Sequence, residues 1–139
     1  MPIINIGEIF YLMDIYMNSE DRRHMVRLEV KGAEVFYKLE SGQSSYKPLR
    51  DITKSSARFD VDHTIKHGDF IELEIIVPGK VNIVVKGKII RLSDPASEYP
   101  SYAVVQFVPF GTDERYNSML SYNQLSALIE EQYLILQSP

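Results

Sequence analysis

Arg23 and Arg27 stand four residues apart in the run Arg22-Arg23-His24-Met25-Val26-Arg27. A guanidinium carries a planar fork of donors that meets phosphate or carboxylate with two hydrogen bonds, and its flat face stacks on a base. In DNA the same fork reads the O6/N7 edge of guanine. Two such groups at this spacing suit a compact anion with flat rings. A second run, Asp51-Ile52-Thr53-Lys54-Ser55-Ser56-Ala57-Arg58, supplies complementary groups. The Asp51 carboxylate can accept from guanine N1–H and N2–H, or orient an arginine. Thr53 offers a hydroxyl, and Ser55-Ser56 falls where a tight turn between strands is expected. Arg58 flanks this surface and adds charge, or is simply an exposed strand residue. Each run alone is common; their order in one short chain is the more specific signal.

The charge pattern sharpens this. The chain has 139 residues and a formal net charge of -4, which argues against a binder of nucleic-acid polymers. Residues 22–27 nevertheless carry three arginines and no acid, and residues 47–58 carry four basic residues against Asp51. A local anion site in an otherwise acidic protein fits that distribution. The absence of cysteine excludes disulfides, thiolate chemistry and cysteine-ligated zinc. There is no Gly-x-Ser-x-Gly elbow, Walker loop or Gly-x-Gly-x-x-Gly motif, and no pair of carboxylates reads as an acid/base couple. His63 and His67, with Asp60 and Asp62 nearby, lack a helical pattern that would align them, so they read as a surface loop and not a metal site. The expectation is a binding protein, not an enzyme, without metal or cofactor.

The elements that must position these residues follow from periodicity. Hydrophobic residues make up 45% and charged residues 24%, the balance of one ordinary globular domain. No apolar run reaches the ~18–20 residues that span a bilayer, and the first residues lack a basic, cleavable leader, so a cytoplasmic protein is expected. Ile6, Ile9, Phe10, Met13, Tyr16 and Met17 recur every three or four residues and predict an amphipathic helix over 6–17, followed by a linker over 18–21. From Val26 to Phe110 the texture is that of strands. Alternation predicts a first strand over 28–39 with a bulge at Gly32-Ala33, then strands over 46–53, 56–61, 70–77, 81–92 and 102–108, with a bend at Gly87. Thr112 reads as the N-cap of a C-terminal helix over 113–131, with a break near 121–123 where helix propensity falls. Six short strands punctuated by turns predict an all-β core, a small antiparallel barrel or sandwich, flanked by the two helices. Two apolar helices also suit a homodimer.

With its two motifs, the sequence resembles the PilZ domain family. That family pairs Arg-x-x-x-Arg before its first strand with Asp/Asn-x-Ser-x-x-Gly between its second and third strands. The resemblance covers roughly residues 20–120, and the stretches Gly68-Asp69-Phe70-Ile71 and Val104-Val105-Gln106-Phe107 fit the family's strand pattern. It implies a six-stranded antiparallel PilZ-type β-barrel over 20–139 carrying the C-terminal helix, with residues 1–19 as an N-terminal helix and linker. It further implies a bacterial receptor for cyclic di-GMP that changes conformation on binding and signals to a protein partner. Carried over, Arg23 and Arg27 would contact phosphate and guanine, with Arg22 supporting the local field. Asp51 and Thr53 would read a guanine edge or hold an arginine, and Ser56 would line the turn. Two positions depart from the pattern. Thr53 replaces serine and keeps its hydroxyl. Ser56 replaces glycine, which costs on the order of 1 kcal/mol if that position needs a positive φ. The alternative is a degenerate PilZ-like adapter that binds no nucleotide and acts through protein contacts.

Overall fold

A computed structural model of the chain describes residues 27–62, 65–93 and 102–137. The helix expected over 6–17, the linker after it, Arg22, Arg23 and His63 lie outside these residues.

Six strands place every second side chain inward along most of their length, the condition for a sheet with one face inward. They are β1 (Glu34–Leu39), β2 (Ser44–Ile52), β3 (Ser56–Asp60), β4 (Phe70–Ile76), β5 (Ile83–Leu92) and β6 (Tyr102–Phe107). Val35, Tyr37 and Leu39 point inward from β1, Ile71, Leu73 and Ile75 from β4, and Ala103, Val105 and Phe107 from β6. All neighbours pair antiparallel, and the sheet closes in the order β1-β2-β3-β6-β5-β4. Closure removes free sheet edges and encloses a core whose largest buried side chains include Tyr37, Phe59 and Phe107. The expected antiparallel barrel is therefore present.

Local boundaries differ from the sequence reading for identifiable reasons. The run 28–39 is not one bulged strand. Leu28 forms a single antiparallel bridge with Ile52, and the chain then turns at Lys31 and Gly32, whose φ of +75° suits glycine. Gly87 lies within β5, where a Cβ would approach the Gln106 carbonyl oxygen to 2.3 Å, so its role is close strand approach.

The C-terminal helix starts later than expected. Asp113 does not open it: its carboxylate accepts from the Arg115 amide at 2.9 Å and from that residue's guanidinium at 2.7 Å. The side-chain hydrogen bond from Arg115 is the main cause holding the Asp113 carboxyl below its ordinary range. Two short parallel strands that the sequence did not reveal flank this loop, β7 (Phe110–Gly111) and β8 (Asn117–Ser118). The buried Asn117 side chain accepts from Lys86 N at 2.8 Å and donates to Lys86 O and Val108 O, which ties this loop to β5. Helix α1 (Met119–Gln137) then begins, capped by Ser118, whose hydroxyl accepts from Ser121 N at 3.0 Å. It runs without a break at 121–123. Leu125, Leu128 and Ile129 join the core, Ser121 donates to Val84 O, and Glu131 pairs with Lys80 at 2.8 Å. No described helix is long and apolar enough to cross a membrane.

Candidate functional site at the β2–β3 turn

A β-bulge aims the key carboxylate. Leu49 faces Phe59 across β2 and β3, and both are buried in the core. Two residues further along an unbroken strand, Asp51 would share that inward phase. Instead the register shifts after Leu49, so that Asp51 stands opposite Arg58 while Ile52 returns to the core opposite Ala57. The extra residue is Arg50, and one inserted residue is what moves a side chain to the other face.

Asp51 is nevertheless only 4% exposed, because arginines cover it. Arg58 Nη2 donates to Asp51 Oδ2. Arg27 Nη1 lies 3.6 Å from Oδ1 with its own side chain half exposed. Arg27 is delivered there by the bridge at the next residue: Leu28 N donates to Ile52 O at 3.0 Å, and Ile52 N donates to Leu28 O at 2.9 Å. The second arginine of the first motif and the aspartate of the second thus meet. Arg22 and Arg23 precede the described residues.

The turn between the strands is built by Thr53. Its amide donates to Ser56 O at 2.8 Å, closing the hairpin. Its buried hydroxyl accepts from Ser55 N at 3.1 Å and Ser56 N at 3.0 Å and lies 2.9 Å from Ser56 Oγ. The side chain thereby replaces a backbone acceptor, the ST-turn arrangement. Ser56 pairs in β3 opposite Gln106, and no described residue other than glycine has a positive φ. The serine at that position therefore carries no left-handed strain, and the cost conditional on a positive φ does not arise.

Outside the motifs, sequence reasoning gave Arg58 only a supporting role and missed Arg50 and Tyr102 as site residues. The Arg58 Cζ lies 5.3 Å and the Arg50 Cζ 4.9 Å from the Tyr102 ring centroid. Arg50 also donates through Nε to Asp60, the residue directly opposite Tyr102. An outward phase at the start of the sixth predicted strand was the available signal for Tyr102. Beside the same turn, a cleft of about 500 Å³ opens against α1, lined by residues that include Leu28, Thr53, Lys54, Ile129, Glu130 and Tyr133. Its volume is in the range of small-ligand sites. Among the described residues no group of three or more His, Cys, Asp or Glu could hold a metal ion.

The arrangement is suited to an anion with flat, donor-bearing rings: guanidinium groups for phosphate, and a fixed carboxylate for paired N–H groups. No protein-family model matches the sequence, and no curated protein matches it. Solved structures share its fold. The PilZ domain of YcgR from Escherichia coli, solved with c-di-GMP, superposes with a TM-score of 0.63 at 14% identity, over 84% of this chain and 95% of that one. The Bacillus subtilis inhibitor of motility (MotI/DgrA) gives 0.56 at 17% identity, over 81% of this chain and 52% of that one, so this chain spans about half its length. The PilZ domain of CeSA from a cellulose-synthesizing bacterium gives 0.51 at 10% identity, over 76% and 92%. The closed barrel of this chain has the fold of PilZ domains.

Proposed function

We propose that the chain is a receptor for cyclic di-GMP. The observation that carries this reading is the meeting of Arg27 and Asp51 beside the Thr53 turn, in a fold shared with a PilZ domain solved with that ligand. In this reading Arg23 and Arg27 take phosphate and guanine, and Arg22 adds to the local positive field. Asp51 accepts from a guanine edge, while Thr53 and Ser56 shape the turn on which the ligand rests. Because the arginines belong to the segment that leads into the barrel, binding couples the ligand to residues 1–19, the output element toward a protein partner. A ligand shifts such an equilibrium only through different affinities for its two states. The protein acts as a cytoplasmic adapter without catalytic chemistry of its own.

One observation favours the competing adapter reading: Asp51 is already engaged by Arg58, and the Thr53 hydroxyl is already committed to the turn. Calorimetric titration decides between them. Heat on adding cyclic di-GMP to the wild type, greatly reduced in Arg23→Ala and Arg27→Ala, supports the receptor. Equal heats from all three proteins reject the assigned arginines. Silence from the wild type supports the non-binding adapter.

A further inference from the structure

We infer that Arg58, seated on Tyr102, is a positioning residue that aims the Asp51 carboxylate and so sets the base selectivity of the site. This inference rests on the cyclic-dinucleotide reading above. An aspartate's terminal torsion is broad, so its own rotamer does not fix the carboxylate plane. A partner must do so, and here it is Arg58 Nη2 on Oδ2.

Arg58 is in turn held from the neighbouring strand. It stands opposite Val104 on β6, two residues from Tyr102, and its guanidinium carbon lies 5.3 Å from the centre of that ring. Its Nε is buried and has no hydrogen-bond partner among the described residues. A buried donor without a conventional acceptor is rare, and stacking against an aromatic ring offsets part of that loss. Arg50 approaches the same ring and is tied to Asp60, which stands opposite Tyr102. The contacts therefore run unbroken from Asp60 through Arg50, Tyr102 and Arg58 to Asp51.

The chemical consequence concerns the base. Each carboxylate oxygen has two acceptor sites, so Oδ2 can take one bond from Arg58 and still accept another. Two acceptors held side by side match guanine, whose N1–H and N2–H are adjacent donors. Adenine places an acceptor nitrogen at the corresponding position and meets the carboxylate with a lone pair. That distinction requires a carboxylate of fixed orientation. Without Arg58 the carboxylate keeps only the looser contact with Arg27, half exposed and 3.6 Å from Oδ1, so it remains a counter-charge but no longer presents a defined edge.

The test compares cyclic di-GMP with cyclic di-AMP as probes by calorimetry. The wild type should prefer the guanine ligand. Arg58→Gln should lower that preference on the order of tenfold, the size of one base-edge contact, with a smaller effect on the affinity both ligands owe to phosphate. Tyr102→Leu keeps the guanidinium and removes its platform, so it tests the claim even if Arg58→Gln fails to fold. It should lose preference in the same direction, and Tyr102→Phe, which returns the ring, should restore it. Folded Arg58→Gln and Tyr102→Leu proteins with the wild-type preference would overturn the positioning role and leave the receptor standing. A wild type silent to both dinucleotides would end the receptor reading and this inference together.

Discussion

The Thr53 hydroxyl does at the β2–β3 turn what a backbone carbonyl does in an ordinary hairpin, receiving the Ser55 and Ser56 amides while almost wholly shielded from water. Thr53→Val keeps the shape and removes the acceptor, leaving amides without it. It should destabilise the fold by about 1–3 kcal/mol in chemical denaturation, whereas Thr53→Ser should lie near the wild type. Tyr37 makes a second single-residue prediction. Its ring is 1% exposed and its hydroxyl donates to Asp62 Oδ2 at 3.2 Å. Burial, and secondarily the Asp62 charge, push its pKa up to about 12 from an ordinary value near 10. The neutral phenol is thus favoured in the folded state. Its stabilising contribution is complete below about pH 10 and is lost as pH rises toward about 12, a change of roughly 2–3 kcal/mol. Urea unfolding across that window should show a steeper loss in the wild type than in Tyr37→Phe. Parallel curves would remove Tyr37 from the alkaline transition.

At the scale of elements, the barrel is specified by alternation and closed by contacts that alternation does not encode. Strands such as Glu34–Leu39 and Phe70–Ile76 were legible because every second residue is apolar and the turns carry Gly-Gln, Gly-Asp or Pro-Gly. The start of α1 was not: Thr112-Asp113-Glu114 has the composition of a helix N-terminus, but Asp113 is captured by Arg115 and Asn117 by β5. Those are competing local and tertiary hydrogen bonds, which composition does not rank. The site divides the same way. Arg27 and Asp51 were legible as residue types in a meaningful order. The Arg58–Tyr102 contact depends on β3 lying beside β6, a pairing between strands distant in sequence. Gly87 tests how tightly the barrel is drawn at the β5–β6 seam. A methyl there would come within 2.9 Å of the Gln106 carbonyl carbon and of a Val105 methyl, besides crowding the Gln106 oxygen. Backbone cannot yield as a flexible side chain can, so Gly87→Ala should destabilise at or above the upper end of the roughly 1–3 kcal/mol typical of overpacking. A stability equal to wild type would show that β5 and β6 separate freely at that point.

For the whole molecule, the governing contrast is between a net charge of -4 and a face where Arg27 and Arg58 flank one buried carboxylate. The net charge disfavours an anionic ligand at long range, while the arginine-bearing face attracts it locally. Binding should therefore depend on salt through local contacts. Affinity for cyclic di-GMP should fall several-fold as ionic strength rises from about 0.01 to about 1 M, where the screening length shortens from ~30 to ~3 Å. Arg27→Gln should flatten that dependence as well as weaken binding, because it removes one of the charges being screened. The same ligand should stabilise the barrel by mass action, about 2.7 kcal/mol at a hundredfold excess over Kd, or roughly 10 °C in Tm for a chain of this length. Cyclic AMP and GTP, each with a single base, should give smaller shifts. If all three nucleotides shift Tm equally and high salt abolishes every shift, the face is a general anion attractor. If cyclic di-GMP alone persists at high salt, the hydrogen-bonded edge at Asp51, and not charge, carries recognition.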